Sequence, residues 1–141
     1  MTTTTTETPL GRKAREVLRV IEANRDALDM STWWEGPGAV FTPNETPCGT
    51  TMCVAGWRAH LSGWTLVDDG RATKDGRELK IEVVAVDEFE PADEGEIRAL
   101  RELFYTGPSR ALAVLRYVAD QGTFPPGGIQ DDDALDPYWR D

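Results

Sequence analysis

Apolar positions along the chain fall into four stripes of helical period and one run of ambiguous period. The least polar stretch is Cys48 to Trp64, CGTTMCVAGWRAHLSGW, where only Arg58 and His60 carry polar side chains between Met52 and Leu61. Apolar residues occupy every face of the implied helix, and Ala55, Gly56 and Ala59 let other backbones come close. A helix that is apolar all round is buried. The pattern therefore predicts a central helix with the other elements packed against it. Thr50 or Thr51 is placed to cap its start, and Gly63 sits where a C-terminal glycine belongs.

The other elements follow from period and punctuation. Thr8-Pro9 is a Thr N-cap followed by Pro at the first helical position, and Leu10, Ala14, Val17, Leu18, Ile21 and Leu28 recur at helical spacing, which predicts a helix from Pro9 to Leu28. Arg12, Arg15 and Arg19 line its polar side. Residues 29–47 carry Gly36, Pro37, Gly38, Pro43 and Pro47, so they form a long connection rather than a helix. Asp69-Gly70 and Asp75-Gly76 are hairpin signals. Leu79, Ile81, Val83 and Ala85 then alternate as in a strand, while Ile81, Val84, Ala85 and Phe89 also fit one face of a helix. β-Branched content favours the strand. Ile97, Leu100, Leu103 and Phe104 mark a helix with Asp93, Glu94 and Glu96 near its start. Ser109 is placed to cap a last helix bearing Leu112, Leu115, Val118 and Ala119, closed by Gly122.

Together these elements predict a mainly helical α+β fold, with about four helices around a central buried one and a small β-hairpin or meander. The expected organisation is a disordered Thr-rich start over residues 1–8, one globular domain over 9–122, and a Pro/Gly-rich acidic tail over 123–141. A chain of 141 residues suffices for one core.

Charge narrows the classes of function. The formal net charge is -10, and it is uneven: residues 1–63 hold six basic and seven acidic side chains, residues 64–141 nine and eighteen. Such a surface repels phosphate backbones and anionic membranes, so direct nucleic-acid binding and membrane binding are not expected. It suits either a solvated surface or a face that meets a basic partner or imitates nucleic acid. Met1 and Thr2 to Thr6 contain no basic or apolar leader pattern, so no signal peptide is expected and the protein is placed in the cytoplasm of a bacterial host cell. Asn44-Glu45-Thr46 matches a glycosylation sequon without a secreted context to use it.

The chemistry-bearing residues make poor constellations. Cys48 and Cys53 are spaced C-x4-C with no second ligand pair, and His60, the single histidine, lies about 10 Å from Cys53 along a helix at ~1.5 Å per residue. Buried thiols are the expected state, and no metal or cofactor is expected. A reactive Cys48 near a helix N-terminus is the one thiol-enzyme reading, with His60 too far along the helix to act as its base. Ser31, Ser62 and Ser109 sit in no nucleophile turn. Asp131, Asp132, Asp133 and Asp136 lack the spacing of a calcium loop. No catalytic residue is therefore assigned. The aromatic pairs Trp33-Trp34 and Tyr138-Trp139 are more informative. Neighbours in extended chain point opposite ways, so one of each pair can pin a segment to the core while the other anchors a partner.

The series Asp29 to Trp33, Cys-Gly-Thr-x-x-Cys-x-Ala-Gly-Trp from Cys48 to Trp57, Leu103 to Tyr105, and the helix from Ser109 to Asp120 resembles a group of small proteins of actinobacteria and their phages. The resemblance covers residues 15–122. It implies an origin and a shared fold but carries no activity and no catalytic residue. Joined to the residue-level reading, it leads to the expectation of a small non-enzymatic protein that binds a bacterial host protein, with Trp33, Trp34, Tyr138 and Trp139 as candidate contacts. The alternatives are an acidic DNA-mimic decoy of a nucleic-acid-binding protein and a thiol enzyme using Cys48.

Overall fold

The computed structural model describes residues 7–24, 26, 28–30, 32–34, 40–42, 52–67 and 70–139. Helix α1 (Pro9–Ala23) begins as its sequence dictates: Thr8 accepts a hydrogen bond from the Gly11 amide, and Pro9 fills the first position. The Thr8 hydroxyl also donates to the Gly122 carbonyl at 2.6 Å, tying this start to the end of a distant helix. The helix stops five residues short of the expected Leu28. Asn24 leaves helical geometry at φ -150°, and Leu28 instead forms an isolated parallel bridge with Met52.

Strand β1 (Val40–Phe41) precedes the central helix α2 (Val54–Leu61). Every residue from Met52 to His60 is buried, in keeping with the all-round apolar pattern. The helix is shorter than the expected stretch because Met52 is spent on the bridge to Leu28 and Cys53 is the N-cap. Thr50 and Thr51, the expected caps, lie outside the described residues. Strands β2 (Thr65–Val67), β3 (Arg71–Lys74) and β4 (Arg77–Lys80) complete an antiparallel sheet in the order β1-β2-β3-β4. Asp75 and Gly76, at φ 51° and 81°, form the two-residue turn between Lys74 and Arg77 that the Asp-Gly pair foretells.

The ambiguous run resolves against the strand. Helix α3 (Ile81–Glu88) buries Ile81, Val84 and Ala85, the helical face, and packs against α2. Burial of an i, i+3, i+4 set outweighs β-branched propensity, which is a weak and context-dependent preference. Helix α4 (Glu94–Leu103) is capped by Asp93, whose carboxylate accepts from the Glu96 amide at 2.9 Å. Helix α5 (Pro108–Gln121) starts two residues earlier than a Ser109 cap allows. Gly107 is its N-cap, and Pro108 takes the first position, where its missing N–H costs nothing. Gly122, left-handed at φ 79°, ends it.

The segment after Gly122 packs back on the domain. Phe124, Ile129 and Leu135 are buried, a short helix α6 (Asp132–Leu135) is capped by Asp131, and a 3-10 turn follows at Asp136–Tyr138. Arg110 donates to the Ile129 carbonyl and pairs with Asp132 at 2.9 Å, so part of this segment's acidity serves capping and docking. The fold is thus mainly helical α+β, and no helix among the described residues is long and apolar enough to cross a membrane.

Candidate functional site

Residues 28–30 and 32–34 lie along the start of α2. The Asp29 amide donates to the Met52 carbonyl and the Cys53 amide to the Thr32 carbonyl, both at 3.0 Å. This delivers Trp33 to a seat made by two glycines. A Cβ on Gly56 would lie 2.1 Å from the Trp33 carbonyl oxygen, and one on Gly70 would lie 2.8 Å from the indole Cδ1. Real Cβ atoms do not approach so closely, so the backbone and ring of Trp33 are both positioned by the absence of side chains beneath them.

Tyr105 meets Trp33 from the other side. It stands just beyond α4, where Phe104 turns into the core and the next ring turns out, 66% exposed. Its ring meets the Trp33 indole edge-to-face, with centroids 5.8 Å apart at 83°. Its hydroxyl donates to Glu82 Oε1, in the first turn of α3, at 2.7 Å. That hydrogen bond is the main cause that pushes the Tyr105 phenol above its usual pKa. An exposed ring held by an aromatic neighbour and a charged acceptor has already lost much of its rotamer freedom, which favours its use as a contact.

Two hollows share this aromatic wall. One, of about 130 Å³, is lined by Met30, Thr32, Trp33, Cys53, Phe104 and Tyr105. It is close to the ~150 Å³ of an apolar cavity known to accept benzene, so one large apolar side chain matches it. The other, of about 440 Å³, is lined by Trp33, Gly70, Arg71, Lys80, Glu82 and Tyr105. Cys53 is a free buried thiol, and burial raises its pKa, so at neutral pH it is the protonated, weakly nucleophilic form. Cys48 lies outside the described residues. Among the described residues no group of three or more His, Cys, Asp and Glu side chains is arranged to hold a metal ion.

The remaining sequence candidates occupy other surroundings. Trp34 turns away from Trp33, stacks on Phe41 with centroids 6.3 Å apart, and donates its indole N–H to the Val67 carbonyl at 2.9 Å. Tyr138 packs on Tyr117 and donates to Asp120. Burial, then that hydrogen bond, raises its pKa. Trp139 is 37% exposed, with the Arg110 guanidinium 5.2 Å from its ring centroid. His60 belongs to the core: it stacks on Phe41 at 4.5 Å and meets Trp57 edge-on. Of the four candidate contacts, Trp33 lines both hollows with Tyr105. The sequence signal for Tyr105 is slight, an aromatic that follows Phe104 two places past Leu103, the last buried position of α4, and stands ahead of Gly107-Pro108. No protein-family model, curated protein or solved structure matches the chain.

Proposed function

We propose that the protein is a non-enzymatic binding protein that docks a bacterial host protein on the face formed by Trp33 and Tyr105. The observation that carries this reading is the pre-positioned Tyr105 ring, fixed by Glu82 and Trp33 beside a hollow the size of one apolar side chain. Aromatic anchors next to a small pocket are the usual energetic centre of protein interfaces. The raised pKa of Cys53 argues against its use as a nucleophile. The resemblance of Cys48 to Trp57 to small proteins of actinobacteria and their phages supports an actinobacterial or phage origin, with the host protein as partner.

The test is capture from an actinobacterial lysate on the immobilised full chain, with bound proteins identified by mass spectrometry. Tyr105→Ala is expected to reduce capture of the specific partner at least tenfold, about 1.4 kcal/mol or more, a typical loss for an interface anchor. Trp139→Ala is expected to leave capture unchanged. Equal capture by wild type and Tyr105→Ala sinks the assignment to this face. Loss of capture from wild type on raising the salt, whatever stands at position 105, points to the acidic surface instead.

A further inference from the structure

We infer that Tyr105 is a gate, latched by Glu82, between the two hollows of this face. With the latch made, the ring closes the small hollow that holds the Cys53 thiol. With the ring swung out, the small hollow opens into the larger one. This gate operates in the free protein, so it goes beyond the docking reading of the face and needs no partner. Trp33 and Tyr105 are the two residues common to both linings, one shared with Cys53 and Phe104 and the other with Arg71, Lys80 and Glu82.

Only one side of that shared wall is free to move. Trp33 is seated over Gly56 and Gly70, and its neighbour Thr32 is tied to α2 through the Cys53 amide. Phe104 is buried and packs on Phe89, with ring centroids 6.2 Å apart. Tyr105 differs from both. It is exposed and stands outside both the buried core and the half-buried side chains packed against it. Its ring is tied by the hydrogen bond to Glu82 and by the edge contact with Trp33. Glu82 belongs to the first turn of α3, which is anchored by buried Ile81, Val84 and Ala85, so the acceptor is fixed while the donor is not. An exposed side chain that is not held changes rotamer within nanoseconds. The hydrogen bond to a charged acceptor, stronger than one between neutral groups, therefore sets the closed fraction. Cys53 reports that fraction. Its thiol lines the small hollow, and burial raises its pKa, so it reacts slowly while the ring covers it.

The test is the rate at which iodoacetamide alkylates Cys53 in the folded full chain, with fragment mass spectra separating Cys53 from Cys48. Tyr105→Ala is expected to raise the Cys53 rate at least tenfold. Glu82→Ala is expected to raise it about three- to tenfold, and Tyr105→Phe, which removes the same hydrogen bond, by a matching factor. The two together are expected to act no more strongly than either alone, because they break one interaction. Glu82→Gln keeps an acceptor and is expected to react at close to the wild-type rate. Ile21→Val, a change in the buried face of α1 away from the hollow, controls for loosening of the whole fold and is expected to leave the rate unchanged. A Cys53 rate in Tyr105→Ala equal to wild type, or a rise that Ile21→Val reproduces, overturns the gate and leaves the docking face standing. Wild-type rates in both Glu82→Ala and Tyr105→Phe overturn the latch and, with it, the inference.

Discussion

Arg58→Ala is expected to lower folding stability by about 3 kcal/mol, a loss read as a shift in the midpoint of chemical denaturation. Arg58 is fully buried in the helix on which the fold is centred. Its guanidinium donates to the Lys13 carbonyl at 2.8 Å, to Glu16 at 2.8 Å and to the Ser62 hydroxyl at 3.0 Å, and it lies 5.7 Å from the Phe89 ring centroid. It therefore joins α1, α2 and the end of α3. Alanine removes the donors, leaves the Lys13 carbonyl short of a partner and opens a cavity. Two features limit the loss: Glu16 is 49% exposed and regains water, and the buried Arg58 Nε has no acceptor among the described residues. Arg58→Met keeps most of the volume and is expected to cost less than alanine, which separates packing from hydrogen bonding. A midpoint for Arg58→Ala within the range of surface substitutions contradicts this account of the core.

Gly56→Ala is expected to destabilise by about 2 kcal/mol, the opposite of the gain that an alanine brings to most helix interiors. The propensity gain is ~1 kcal/mol. Against it stands a Cβ placed 2.1 Å from the Trp33 carbonyl oxygen and 2.8 Å from Met52 Cβ. The first is backbone flanked by hydrogen bonds to the Thr32 carbonyl, from the Cys53 amide, and to the Trp34 carbonyl, from the Thr32 hydroxyl, so it cannot give way as a flexible side chain would. Overpacking of this kind costs ~1–3 kcal/mol or more and here exceeds the propensity term. The same shift moves Trp33, so partner capture is expected to fall with stability. A Gly56→Ala protein as stable as wild type refutes the seat that Gly56 provides.

Much of the fold is legible in the chain. The stripes of α1, α4 and α5 and the all-apolar α2 announce themselves through helical period, because one buried face leaves a repeat that no other structure shares. Asp75-Gly76 names its turn, because few residues tolerate two successive positive φ values. The run Ile81–Val86 does not. Its apolar residues satisfy both periods, and only the packing of α2 against Ile81, Val84 and Ala85 decides. That ambiguity also hides the site. Glu82 meets Tyr105 because residue 82 lies in the first turn of a helix, and read as a strand the run carries no hint of the pairing. Trp33 is legible as a candidate from its adjacent Trp. That the Trp34 indole is spent on Val67, and Tyr138 on Asp120 and Tyr117, is a matter of tertiary contact.

The central claim is that a partner meets this protein over Trp33 and Tyr105. The most direct measurement is 19F NMR of the full chain labelled with 5-fluorotryptophan, its signals assigned by single Trp→Phe variants and followed as the captured partner is added. The account predicts that the Trp33 signal shifts or broadens on binding while the Trp139 signal stays in place. A Trp139 signal that moves while that of Trp33 does not would contradict it.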